Sequence, residues 1–155
     1  TKDGLPDVED EVRDLRDSLL SKFSNTGREP LDLIHRIWDA VYPMDYSLIK
    51  SGERMAEALN MVLEVKEALR GLKVTDHFGL TKAVDVENMV ISAEMFYRAS
   101  IARTESRGFH YREDYPEIDN GKWLKWIILK GDGESMRLWT EPVPIHRYPH
   151  RPESR

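Results

Sequence analysis

The chain has 155 residues, 40% of them hydrophobic and 33% charged, with a net charge of -5 and no cysteine. That suits one charge-rich globular domain with a modest core, and it argues against general nucleic-acid binding. Disulfides, thiolate-held iron-sulfur clusters, Cys-ligated zinc and cysteine catalysis are excluded within the chain, and no apolar run is long enough to span a bilayer.

Val8, Val12, Leu15, Leu19 and Phe23 recur at helical spacing, so the first helix is predicted at about 7–24. "SNTG" ends it. Pro30 opens a second helix, about 30–42, with Leu31, Ile34, Ile37, Trp38 and Val41 as its apolar face. "MDYSLIKSG" reads as a connector or a short helical turn. Ser51 caps a third helix, about 51–72, along Met55, Leu59, Val62, Leu69 and Leu72. "GLKVTDHFGLTKAVD" breaks the pattern. Asp85 is then read as the cap of a fourth helix, about 85–106, which ends at a left-handed Gly108.

Beyond Pro116 the composition turns to tryptophan and β-branched residues around "GDGES", which predicts a β-hairpin at about 122–143. Trp123 and Trp126, three apart on a regular strand, face opposite sides, one of them toward the helices. Pro142, Pro144, Pro149 and Pro152 leave 144–155 as an extended tail. The predicted fold is mainly α: a spectrin-like bundle of three to four helices with a small C-terminal hairpin, forming one domain over 1–155. A first residue of Thr1 points to a piece of a longer protein.

No G-x-G-x-x-G or Walker loop is present, and "GDGESM" follows a strand instead of opening a helix, so no nucleotide-binding fold is expected. His146 and His150 stand four apart, but the flanking prolines deny them a helix on which to share a metal. His35 reads as a packing residue. The densest chemistry is "RTESRGFHYREDYPEIDNGKW". Arg103 and Arg107 are placed in the last helical turns, with His110, Arg112, Glu113 and Asp114 in a loop beyond Gly108. One reading is a salt-bridged loop. Another is a rigid cationic edge for a partner's carbonyls and carboxylates. A third, His110 with Asp114 or Glu113 as acid and base, needs a pocket that the sequence does not reveal.

Glu105, Ser106, Arg107, Gly108, His110, Arg112, Asp114 and Pro116, followed by Trp123 and Leu124, resemble a motif of the C-terminal domain of the succinate dehydrogenase/fumarate reductase flavoprotein family. L-aspartate oxidase and the adenylylsulfate reductase α subunit are relatives in that family. The resemblance covers about Pro30 to Val143, with weaker similarity in the two helices before the motif. It implies a helical bundle and short hairpin packed on an FAD domain, with the catalytic and FAD-binding residues in parts of the protein absent from this chain. No catalytic, cofactor-binding or metal residue is therefore assigned. The expected partners are the flavin-binding domain and an iron-sulfur subunit. Glu105, Ser106, Arg107, His110, Arg112 and Asp114 are the expected docking edge. The isolated chain is expected to be inert and cytoplasmic, reaching the inner membrane only through partner subunits. "WTEPVPIHRYP" departs from the ends of respiratory succinate dehydrogenases, which leaves an adenylylsulfate-reductase-like or anaerobic fumarate-reductase-like parent open, with an L-aspartate-oxidase-like enzyme as a further alternative. The alternative from another class is a free-standing helical interaction module.

Overall fold

The computed structural model describes residues 8–133 and 135–149. Six α-helices and two pairs of strands follow in the order α1 (Glu9–Ser21), α2 (Pro30–Val41), α3 (Met44–Ser47), β1 (Ile49–Lys50), α4 (Gly52–Ala68), α5 (His77–Ala102), β2 (Tyr111–Arg112), α6 (Asn120–Trp123), β3 (Lys125–Asp132) and β4 (Ser135–Pro142). The fold is mainly α.

The core belongs to α2, α4 and α5, which pack on one another. Leu33, Ile37 and Ala40 of α2, Met55, Ala58, Val62 and Val65 of α4, and Ala83, Val86, Val90 and Tyr97 of α5 are buried together with Leu72 and Val74. Each fully buried aliphatic side chain contributes about 1.5–3 kcal/mol, so this cluster dominates stability. The buried stripe of α2 is rotated from the expected one. Leu33 and Ala40 join Ile34 and Ile37 inside, while Leu31 and Trp38 are exposed. Ser51 caps α4 as read from sequence: its hydroxyl accepts the Arg54 N–H at 3.3 Å. The Tyr97 hydroxyl donates to the Ala40 carbonyl at 2.7 Å and ties α5 to the end of α2. Glu94 is fully buried, yet it is paired with Lys66 and Arg98, each at 2.8 Å.

Two expectations about the fourth helix are corrected. The fourth helix begins at His77, not Asp85, because the Asp76 carboxylate accepts the Gly79 N–H at 2.6 Å and caps it there. Gly79 lies in the stretch read as a break, but a helical glycine costs only about 1 kcal/mol, and the Ala83–Val86–Val90 stripe outweighs that. The same helix ends at Ala102, so Arg103 and Arg107 lie beyond it. Since α1 has no buried residue, the bundle has three core helices, within the three to four expected. The chain that follows α1 is fastened to the bundle by Lys22 to Glu87 at 2.6 Å and by backbone bonds around Gly27. Gly27 is required there, since a Cβ would stand 2.1 Å from the Gly71 carbonyl oxygen.

The hairpin pairs β3 and β4 antiparallel, with Ile128 opposite Trp139 and Asp132 opposite Ser135. Gly133 turns it at φ +60°. Trp123 is not on the strand: it ends the short α6, where it is buried, while Trp126 on β3 is exposed. A 3-10 turn, Ile145–Arg147, interrupts the expected extended tail and carries His146. His150 and 151–155 lie outside the described residues.

Candidate docking site

The segment after α5 doubles back on itself. Arg107 and His110 exchange backbone hydrogen bonds at 2.8 and 3.0 Å across a two-residue turn, with Gly108 at φ +58° in the first central position. That is where a twisted hairpin turn needs glycine. The glycine therefore makes this turn and does not stop the helix. Phe109 stands at its tip, 96% exposed.

The polar groups beneath the turn are joined into two clusters. In the first, Glu105 is fully buried. Its carboxylate accepts from Arg103 at 2.5 Å, from the fork of Arg107 at 2.8 and 2.9 Å, and from the Asp119 N–H at 2.9 Å. Burial alone would raise its pKa, but these bonds outweigh burial and hold it below the usual carboxylate range. Arg107 also donates to Asn120 at 2.8 Å. Arg103 reaches the carbonyls of Trp123 and Lys125 at 3.1 and 2.7 Å and lies over the Trp123 ring, 5.1 Å from its centroid. The indole N–H of Trp123 donates to Thr104 at 2.9 Å. This cluster welds the hairpin's base to the end of α5.

In the second cluster Arg112, 2% exposed, turns one nitrogen onto the carbonyls of Ser100, Ile101 and Arg103 at 3.0 to 3.2 Å. Those are carbonyls that the end of a helix leaves unpaired, so a side chain from ten residues downstream caps α5. The rest of the guanidinium grips Asp114 in two bonds of 2.7 Å. Asp114 in turn accepts the Gly52 N–H at 2.9 Å, at the first turn of α4. Arg112 beside it holds this carboxyl at about 2. The Ser106 hydroxyl accepts the Arg112 N–H at 2.8 Å and donates to the Tyr115 carbonyl at 2.8 Å. Arg112 and Asp114 thus bolt the end of α5 to the start of α4.

Two features of this site were missed from sequence. β1 and β2 form a parallel pair, Ile49 with Tyr111 and Lys50 with Arg112. Two-residue strands carry too little pattern to be seen. Lys50 is buried, and its ammonium donates to the carbonyl of Ser47 at 3.1 Å. Burial and the nearby Arg112 lower its pKa.

The six expected docking residues divide. Glu105, Ser106 and Arg112 are buried and spent on internal partners, while Arg107, His110 and Asp114 are only partly covered. The acid–base reading of His110 fails on geometry. Its Nε2 meets the Arg103 carbonyl at 3.2 Å, Asp114 is held by Arg112, and Glu113 pairs with Arg54. Burial keeps the His110 pKa below its ordinary value, so the ring is neutral at pH 7. Among the described residues no group of three His, Asp or Glu side chains could hold a metal, and no helix is long and apolar enough to cross a membrane.

The fold and the motif define a three-helix bundle domain whose charged segment braces its own helix ends. Residues 40–155 match the family described as the fumarate reductase flavoprotein C-terminal domain, and the chain belongs to that family. It is 32% identical over 112 residues, 72% of its length, to an uncharacterized FAD-dependent oxidoreductase of Methanocaldococcus jannaschii. It is 26% identical over 141 residues, 87% of its length, to the mitochondrial succinate dehydrogenase flavoprotein subunit of rice. The chain spans only 19% and 22% of those two relatives. Its fold matches the quinol fumarate reductase of E. coli with a TM-score of 0.83 at 21% identity, over 96% of this chain and 27% of that one. Adenylylsulfate reductase of Archaeoglobus fulgidus has the same fold, at a TM-score of 0.77 and 21% identity over 90% of this chain and 25% of that one.

Proposed function

We propose that this chain serves as the C-terminal scaffold of an FAD-dependent oxidoreductase acting on succinate or fumarate, that it packs on the flavin-binding portion, and that it has no activity alone. FAD, the dicarboxylate and their catalytic groups belong to that other portion. The turn from Arg107 to His110 is the edge that receives an iron-sulfur subunit, and any membrane association runs through such partners. One observation carries this reading. The arginines and carboxylates of the motif are engaged with each other and with helix ends, so what the turn offers outward is Phe109 and the flank of Arg107. An exposed aromatic beside an arginine is a pairing enriched at protein interfaces. Glu105, Ser106, Arg112 and Asp114 act by holding that turn.

Two measurements test the proposal. The purified chain, mixed with FAD, fumarate and a reduced viologen dye, should retain no flavin and oxidise no dye; either result in the positive would overturn it. In the full-length enzyme, Phe109→Ser should weaken co-purification of the iron-sulfur subunit and leave flavin content unchanged. Undiminished co-purification would refute the placement of the docking edge.

A further inference from the structure

The first helix stands apart from the core it precedes. None of its residues is buried. Val8, its N-cap, is exposed, as are Val12 and Leu15 within it, and Leu19 is partly covered. These four residues are spaced four, three and four apart. That alternation is the seam of a two-stranded coiled coil, narrower than the stripe of a helix built to lie on a core. Glu9 and Arg16, seven apart, flank the seam on one side, and Glu11 and Ser18 flank it on the other. Charges at flanking positions set which helices pair and in which direction.

We propose that α1 pairs antiparallel with α1 of a second copy of this chain. Such pairing is independent of the function proposed above. Three observations select this occupant and this direction. Reversed, the two seams oppose Val8 to Leu19 and Val12 to Leu15, so every layer holds one valine and one leucine and the helices stay evenly spaced. A parallel pair would set valine on valine and leucine on leucine, and the seam would taper. Reversal also brings Glu9 of each copy beside Arg16 of the other, an opposite-charge pair on each side of the dimer. Arg16 holds Asp17 at 2.8 Å within its own chain, but that pair is more than half exposed at both ends and contributes little, so Arg16 can exchange it. Finally, Glu9, Asp10 and Glu11 crowd the first turn, and the bundle is fastened just past the last. A parallel pair would press both acidic turns together at one end and both bundles together at the other. An antiparallel pair separates each. The helix has 13 residues, so the seam is about 20 Å long. That is smaller than a standard interface, and the dimer is a weak one that mass action fills.

Analytical ultracentrifugation of the 155-residue chain tests the pairing. The weight-average mass should stand at the monomer near about 5 µM and rise toward twice that near about 1 mM. Leu15→Asp should hold the mass at the monomer throughout, while the melting midpoint at low concentration stays where it was, because Leu15 is exposed there. A monomer over the whole range, or a dimer that persists in Leu15→Asp, would overturn the proposal. Glu9→Arg should weaken association, and adding Arg16→Glu to it should restore association by returning the opposite-charge pairs. No change in Glu9→Arg would count against the register. Direction is read by cross-linking, which the absence of native cysteine keeps clean. Under mild oxidation a mixture of Val8→Cys and Leu19→Cys chains should give mixed disulfide dimers in excess over self-linked ones. An excess of Val8→Cys linked to itself would show parallel helices and refute the antiparallel pairing.

Discussion

At the scale of single residues, the motif works by satisfying buried charge. Glu105 has no exposure and four donors, so its replacement leaves two guanidinium groups facing an uncharged amide. Removing one member of a buried pair costs about 3–5 kcal/mol, and the partly exposed Arg103 and Arg107 place this case near the lower end. Glu105→Gln is thus expected to destabilise the chain by about 3 kcal/mol, read as a lower urea midpoint at unchanged slope. Asp10→Asn, which breaks an ion pair exposed on both sides, should shift stability by less than about 1 kcal/mol. Equal effects from the two substitutions would mean that the Glu105 cluster is open to water.

At the scale of elements, the strongly periodic helices were legible and their relationships were less so. α2 and α4 begin where Pro30 and Ser51 announce them, and the hairpin falls within its expected range. The start of α5 was obscured because the stretch before Asp85 carries no clean helical period; the Asp76 cap and the burial of Ala83 set it at His77. The role of the ESRG motif was read as outward because charge density looks like a surface. Three-dimensional pairing, which joins Arg112 to carbonyls nine to twelve residues earlier, turns half of it inward. Periodicity also cannot say whether an apolar stripe has anything to cover. α1 shows the stripe, yet Val12 and Leu15 are about 60% exposed. Substituting both with Ser should therefore change the chain's unfolding free energy by less than about 1 kcal/mol, whereas Leu33→Ala should cost about 2–5 kcal/mol. Chemical denaturation of the two variants separates the cases, and a large loss from the α1 pair would show that α1 packs on the bundle.

At the scale of the whole molecule, the buried ionisable groups set the pH range in which the domain holds together. Glu94, Glu105 and Asp114 all have folded pKa values below their ordinary ones, held down against burial by Lys66 and Arg98, by Arg107 and Arg103, and by Arg112. A carboxylate depressed on folding stabilises fully above its unfolded pKa, here 4.5 for Glu and 3.8 for Asp, and that contribution is lost as pH falls through the folded value. His110 acts in the same direction earlier. Burial disfavours its cation, so the unfolded chain binds this proton first, and stability declines from about pH 6.5 downward. Tyr97 works at the other limit. Burial, with Tyr46 nearby, keeps the phenol protonated, with its pKa pushed up to about 12 from 10.0. The unfolded chain ionises first as pH rises, so stability falls from about pH 10 upward. A plot of unfolding free energy against pH should descend in two stages on the acid side, and on the alkaline side the loss from Tyr97 is set against Lys50, whose lowered folded pKa makes stability rise with pH up to 10.5. Asp114→Asn should flatten the stage between about pH 4 and 2, and Tyr97→Phe should flatten the alkaline limb while lowering the plateau by about 1–3 kcal/mol for the carbonyl left unpaired. Urea titrations from pH 2 to 11 read both, and an acid limb unchanged in Asp114→Asn would show that the Arg112–Asp114 bolt does not join α5 to α4 in solution.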